Sequence, residues 1–180
     1  MTETWLSNFV FDCETLPCEY KLYCEDRGSR GSGVLIAVSD SVPSVLISSP
    51  EELGIKTANL NFLNGPITLC TVYVPPNSGD DYHKNLLFYL AHVSSSADRV
   101  ILVGNFNLPD VCWSSLIGQS PFSNSFCDFV YKQNFSQLVE CPTHVILDLV
   151  LTTSESIISD LLVTEPHALI STDHHRSPYA

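Results

Sequence analysis

The sequence predicts a single α/β domain rich in strands. Runs of aliphatic and β-branched residues alternate with a few stretches of helical periodicity. Turn residues separate these runs, and one apolar run, Val100–Val103, ends abruptly in a polar turn carrying Asn105 and Asn107. A length of 180 residues with 44% hydrophobic content suits one domain with a sizeable core. The whole chain, 1–180, is read as that domain.

Gly33–Val38 reads as a strand emerging from the glycine-rich turn Arg27–Gly33. Val45–Ile47 and Thr57–Leu63 read as further strands, the second with period-2 alternation. Asn64-Gly65 is a hairpin signal leading into the strand Ile67–Val74. Pro75-Pro76 stops that strand, because proline has no N–H to give a ladder. Asp80–Val93 combines acidic residues at its start with apolar residues at helical spacing. Ser94–Asp98 separates it from the Val100–Val103 strand. A second helix is expected over Asn124–Phe135, with Phe126, Phe129 and Val130 on one face. Val145–Leu151 is a dense apolar strand interrupted by Asp148, and Ser159–Val163 is a shorter strand.

Composition restricts the function classes. No apolar run approaches the roughly 18–20 residues of a membrane helix. Met1–Leu6 lacks a basic start followed by an apolar stretch, so no signal peptide is expected, and the chain is read as intracellular. Seven cysteines include no Cys-x-x-Cys pair, so reduced thiols are expected rather than a zinc site. Cys70, within an apolar strand, reads as a small core residue. The formal charge of −12, with only eight Lys and Arg, opposes a reader of DNA that works by neutralising phosphates. An acidic chain can still act on phosphodiesters where a divalent cation dominates the local charge.

Several side chains are candidates for chemistry. Asp148 lies between Leu147 and Leu149, where burial of an unpaired carboxylate would be costly. It is read either as a salt-bridged acid at a strand end or as the partner that orients a histidine, with His174 and His175 as candidates. Asn105 and Asn107 stand in a strand-to-loop turn, for which asparagine is ordinary. Tyr73 precedes the Pro-Pro turn, and Glu3 lies near the N-terminus. Arg27 and Arg30 read as solvated turn residues, and Trp5 and Trp113 as packing residues. His83, His92 and His144 are scattered, without metal-ligand spacing.

Taken in order, these words resemble the endonuclease/exonuclease/phosphatase superfamily, specifically the endonuclease domain of non-LTR (LINE-type) retrotransposons. The matching segments are Glu3–Leu6, Asp26–Val38, Val72–Asn77, Leu102–Pro109, Ser120–Phe129, Pro142–His144, Leu147–Thr152 and Ser171–His175. They cover nearly the whole chain. The resemblance implies a two-sheet α/β sandwich flanked by helices, like apurinic endonucleases and DNase I, with the site where loops of both sheets meet. It also implies hydrolysis of a DNA phosphodiester by water, assisted by magnesium or manganese. Carried over, Glu3 is the metal-binding glutamate and Asp173 a second acid near the metal. Tyr73 donates its hydroxyl to the scissile phosphate, and Asn107 holds the phosphate or the water. His174, oriented by Asp148, stabilises developing charge or assists proton transfer. His175 is the weaker choice, because the family's histidine directly follows the aspartate. A reverse transcriptase partner domain, weak metal-assisted DNA binding and a nuclear location are further implications; no membrane partner is expected.

The chain departs from the family's pattern in three places. Where the family has Gly-Asp-Phe-Asn, this chain has Gly104-Asn-Phe-Asn107. An amide cannot accept the water's proton, and loss of a general base typically costs about 10²–10⁴-fold. The segment Thr143–Asp148 is shorter than in the family, which would displace the Asp148 carboxylate; an error of about 1 Å can cost roughly 10²-fold. The family's terminal strands are expected to be lacking, so the domain is read as partial at both ends, with a marginal fold. The expected function is therefore an impaired metal-dependent DNA endonuclease. The alternatives are an inactive retroelement remnant or repurposed interaction module, and a small-molecule phosphodiesterase or phosphatase of the same superfamily.

Overall fold

The computed structural model describes residues 19–25, 33–139 and 148–158. Its largest element is a six-stranded sheet of order β3-β4-β5-β6-β8-β7. These strands are β3 (Ser44–Ile47), β4 (Ile55–Phe62), β5 (Gly65–Tyr73), β6 (Val100–Asn105), β7 (Ser136–Gln137) and β8 (Asp148–Thr152). Strands β1 (Tyr20–Glu25) and β2 (Val34–Ser39) pair antiparallel in a second, two-stranded sheet.

Local chemistry explains these boundaries. Asn64-Gly65 turns β4 back onto β5, and Gly65 holds φ +105°, a region closed to most side chains. Strands β5 and β6 pair parallel, so a crossover must join them, and helix α1 (Asp80–Ser95) supplies it. Asp80 and Asp81 sit in the first turn of α1, where carboxylates suit the helix dipole. Leu86, Tyr89, Leu90 and Val93 form its buried stripe. Three serines close it: Ser94, Ser95 and Ser96 hydroxyls donate to the carbonyls of Leu90, Ala91 and His92 at 2.7, 2.8 and 2.7 Å. Such back-bonding competes with the helix ladder and favours a stop.

The second helix, α2, spans Pro121–Lys132 rather than the expected Asn124–Phe135. The start is earlier because Ser120 caps it, its Oγ accepting from the Ser123 amide at 3.1 Å, with proline at the first helical position. The end is earlier because Asn134 turns to φ 53°, a left-handed conformation that asparagine tolerates. Phe135 is still buried, but from the loop. Strands β1 and β7 were not anticipated from periodicity: β1 carries the mixed sequence Tyr-Lys-Leu-Tyr-Cys-Glu, and β7 is only two residues long. Of the expected strand over 145–151, the described part runs Asp148–Thr152. The strand expected at Ser159–Val163 lies outside the described residues.

Two hydrophobic clusters follow from strand alternation. On one face of the large sheet, Cys70, Val72, Leu102, Leu149 and Leu151 pack with Leu86, Leu90, Phe126 and Val130 of the two helices. On the other face, Ala58, Leu60 and Leu69 meet Tyr23, Ile36 and Val38 of the small sheet. The layers are thus helices, large sheet and small sheet, which is the expected α/β sandwich. Cys70 is fully buried, and burial pushes its thiol pKa up to about 12, as a core role requires.

Candidate active site

Strand register assembles the described part of the site. Tyr73, the last residue of β5, stands opposite Asn105, the last residue of β6. Asn105 in turn stands opposite Asp148, the first residue of β8. Residues in register on adjacent strands point to the same face, and neighbouring strands lie roughly 4.8 Å apart. Val72, Leu149 and Leu151 belong to the helix-side core, so Tyr73, Asn105 and Asp148 take the face that carries the small sheet. Three polar side chains from distant segments thereby form a row along one sheet end.

The loops beyond that row are tied together. Gly104 adopts φ +138°, which only glycine takes without strain, and this directs the chain out of β6 at Asn105. The Asn105 side-chain oxygen accepts the Asn107 amide N–H at 3.0 Å, a local turn made by asparagine or aspartate alike. Asn107, at φ 48°, donates through Nδ2 to the Val74 carbonyl, while the Val74 amide donates to the Asn105 carbonyl at 2.8 Å. The exit of β5 and the exit of β6 are thus laced by side chain and backbone. Behind them, the Tyr82 hydroxyl of α1 donates to the carbonyl of Leu53 at 2.6 Å and to that of Tyr73 at 3.2 Å.

Burial separates the members of the row. Tyr73 is 5% exposed, its ring packed in the structure, whereas Asn105 and Asn107 are half-buried. Asp148 is exposed, so the cost of burying a carboxylate between Leu147 and Leu149 does not arise there. Leu149, one residue on in β8, is by contrast 1% exposed. Glu3, Asp173, His174 and His175 lie outside the described residues.

A cavity of about 360 Å³ adjoins Asn107, between the loop after β5 and the start of α2. Asp110 organises one side of it. Its carboxylate accepts the Ser123 hydroxyl at 2.5 Å and the amides of Ser120 and Gln119 at 2.7 and 3.1 Å. Burial opposes the charged form, but the bonds from Ser123, Ser120 and Gln119 outweigh it and hold the carboxyl below its ordinary range. On another side, the His83 ring of α1 stacks on Phe122 of α2, with centroids 3.8 Å apart and planes 7° from parallel. The sequence shows His83 only as a scattered histidine and does not single out Asp110 or Phe122. The readable signals were the Ser120-Pro121 cap and the placement of His83 one helical turn after Asp80. A second cavity, about 500 Å³, lies at the far end of β5 and β6 around Gly65 and Arg99 and shares no residue with this row.

For a divalent cation, the described row and Asn107 beside it supply one carboxylate, Asp148, and two amides, Asn105 and Asn107, the Asn105 oxygen already holding the Asn107 turn. Among the described residues no group of three His, Cys, Asp or Glu side chains gathers. Magnesium commonly uses one or two carboxylates together with waters and substrate phosphate, so these oxygen donors are of the right kind but few.

Comparison with known proteins agrees with this architecture. A family model described as endonuclease-reverse transcriptase matches residues 67–177. Among solved structures, the chain is similar to the endonuclease domain of TRAS1, a telomere-specific non-LTR retrotransposon, at 13% identity and a TM-score of 0.58, covering 77% of this chain and 69% of that one. It is also similar to the 3′ phosphatase NExo from Neisseria bound to a product DNA hairpin, at 13% identity and a TM-score of 0.54, covering 84% and 74% of the two chains. An AP endonuclease from Archaeoglobus fulgidus aligns at 17% identity with a TM-score of 0.51, covering 85% and 74%. No similar sequence was found among curated proteins.

Proposed function

The chain belongs to the endonuclease-reverse transcriptase family, within the endonuclease/exonuclease/phosphatase superfamily, and from that membership we propose a DNA endonuclease domain of non-LTR retrotransposon type whose catalysis is impaired at Asn105. The observation that carries the proposal is the in-register row Tyr73, Asn105 and Asp148, with Asn107 turned in beside it. Nothing in a purely structural sheet end requires a phenol, an amide and a carboxylate side by side.

Each residue then has a task. The Tyr73 hydroxyl donates to a non-bridging oxygen of the scissile phosphate. One Nδ2 hydrogen of Asn107 is committed to Val74, which leaves the second hydrogen and Oδ1 to hold the phosphate or the attacking water. The Asp148 carboxylate fixes the tautomer and direction of His174, which meets the charge developing on phosphorus. Glu3 and Asp173 would hold a magnesium or manganese ion, which when bound supplies positive charge against the phosphoryl oxygens. Asn105 keeps the turn that an aspartate would make but has no site for the water's proton. Its substitution therefore preserves the scaffold and removes the base.

With a formal charge of −12, DNA binding is weak and depends on the cation. A reverse transcriptase domain as partner and a nuclear site of action accompany this reading. The test is nicking of supercoiled plasmid in magnesium by the native chain and by Asn105→Asp. Faster nicking by Asn105→Asp, by about 10²–10⁴-fold, supports an impaired nuclease. No nicking by either protein overturns the enzymatic reading and leaves the non-catalytic descendant, which the amide at Asn105, unable to accept the water's proton, favours as the second reading.

A further inference from the structure

We propose that the cavity beside Asn107 is a nucleobase subsite, taking an amine-bearing base of the strand whose phosphate lies on the Tyr73–Asn105–Asp148 row. The inference rests on the nuclease reading above and adds a specificity element to it. Asn107, whose amide N–H is held by the Asn105 side chain of the row, also lines the cavity wall, which places the cavity beside the exits of β5 and β6, where the row ends. A volume of about 360 Å³ lies within the range of small-ligand sites.

The chemistry of the wall selects the ligand. His83 and Phe122 present a flat, pre-stacked aromatic pair, and the Phe122 ring is braced edge-on by fully buried Phe126 at 6.1 Å. Pro75 and Pro76 face the same space with rigid apolar surface. A planar π system is what such a platform takes, and stacking of this kind tolerates any base. Charge then excludes the phosphate itself: the cavity is lined by Asp80 and Asp110, and no Lys or Arg is among the described residues lining it. Burial lowers the His83 pKa despite the opposing charge of Asp80, which favours the neutral imidazole. Asp110 already accepts from Ser123, Ser120 and Gln119. The Asp80 carboxylate and the Asn77 amide, in a turn at φ 64°, remain to receive donors from the base edge. Cytosine offers an exocyclic amine there, and thymine offers a carbonyl.

The test compares, by fluorescence anisotropy in magnesium at fixed ionic strength, three short single strands of equal length: oligo-dC, oligo-dT and an abasic backbone. Oligo-dC is expected to bind about 10-fold tighter than the abasic strand and tighter than oligo-dT. Phe122→Ala and, on the other helix, His83→Ala are each expected to reduce that advantage to about 2-fold or less, with binding of the abasic strand unchanged. Circular dichroism and thermal melting identify a variant that has unfolded, and the two substitutions sit on different helices. An abasic strand that binds as tightly as oligo-dC, or an advantage that survives both substitutions, overturns the subsite alone. Equal binding of oligo-dT and oligo-dC overturns the amine preference. Failure of every strand to bind overturns the subsite, and the nuclease reading falls with it only if plasmid nicking by Asn105→Asp is absent too.

Discussion

At Asn105, one side-chain oxygen holds the Asn107 turn, and the amide that carries it differs from a carboxylate by a single functional group. The geometry that asparagine sustains is therefore the geometry aspartate would sustain, and only proton acceptance differs. Asn105→Asp is expected to leave the melting temperature within a few degrees of the native value while raising nicking, read as plasmid relaxation. Gly104 is the stricter position, because φ +138° admits no Cβ without strain. Gly104→Ala is expected to cost about 1–3 kcal/mol, read from urea unfolding, and to dislodge Asn105 with it. Tyr73→Phe removes a hydroxyl from a ring that is 5% exposed. In the Asn105→Asp background it is expected to reduce nicking with little change in stability, which separates a chemical role from a packing one.

At the scale of elements, Asp110 fastens the start of α2 to the loop after β6 through three hydrogen bonds. Asp110→Ala leaves the Ser120 and Gln119 amides without this acceptor and is expected to cost about 1–2 kcal/mol in urea unfolding. The Asp110 carboxyl is held below its ordinary range, so its contribution is complete above the unfolded-state pKa and fades as pH falls through the folded-state value. The stability gap between native and Asp110→Ala proteins should thus narrow in acid, below the usual carboxylate range. Much at this scale was legible in the sequence: Asn64-Gly65, Pro75-Pro76 and the spacing of Leu86, Leu90 and Val93 announce their elements by local chemistry alone. The start of α2 was written in Ser120-Pro121 but was masked by the stronger apolar signal of Phe126, Phe129 and Val130. Strand β7, two residues long, carries no period to detect and exists because Ser136 and Gln137 fall beside β8. The exposure of Asp148 was hidden because an apolar run does not reveal which of its side chains faces solvent.

For the molecule as a whole, the site depends on register, and register is a long-range property. Tyr73, Asn105 and Asp148 are far apart in the chain, and pairing of β5 with β6 and of β6 with β8 sets them in a row. Their types and order suggested a family; their adjacency could come only from the sheet. The shared core behind the row makes this arrangement sensitive to packing. Leu90→Ala, at a fully buried position between α1 and the sheet, is expected to cost about 2–5 kcal/mol and to reduce any activity through the fold. The acidic character of the chain acts at the same scale, and raising salt should weaken DNA binding less steeply than for a basic nuclease. The most direct test of the row is the nicking rate of Asn105→Asp compared with that of Asn105→Asp combined with Asp148→Ala, in magnesium on supercoiled plasmid. If the strand ends form one catalytic unit, the added Asp148→Ala should return the rate to about that of the native chain. A double variant that nicks as fast as Asn105→Asp alone would contradict the unit and sever Asp148 from the chemistry.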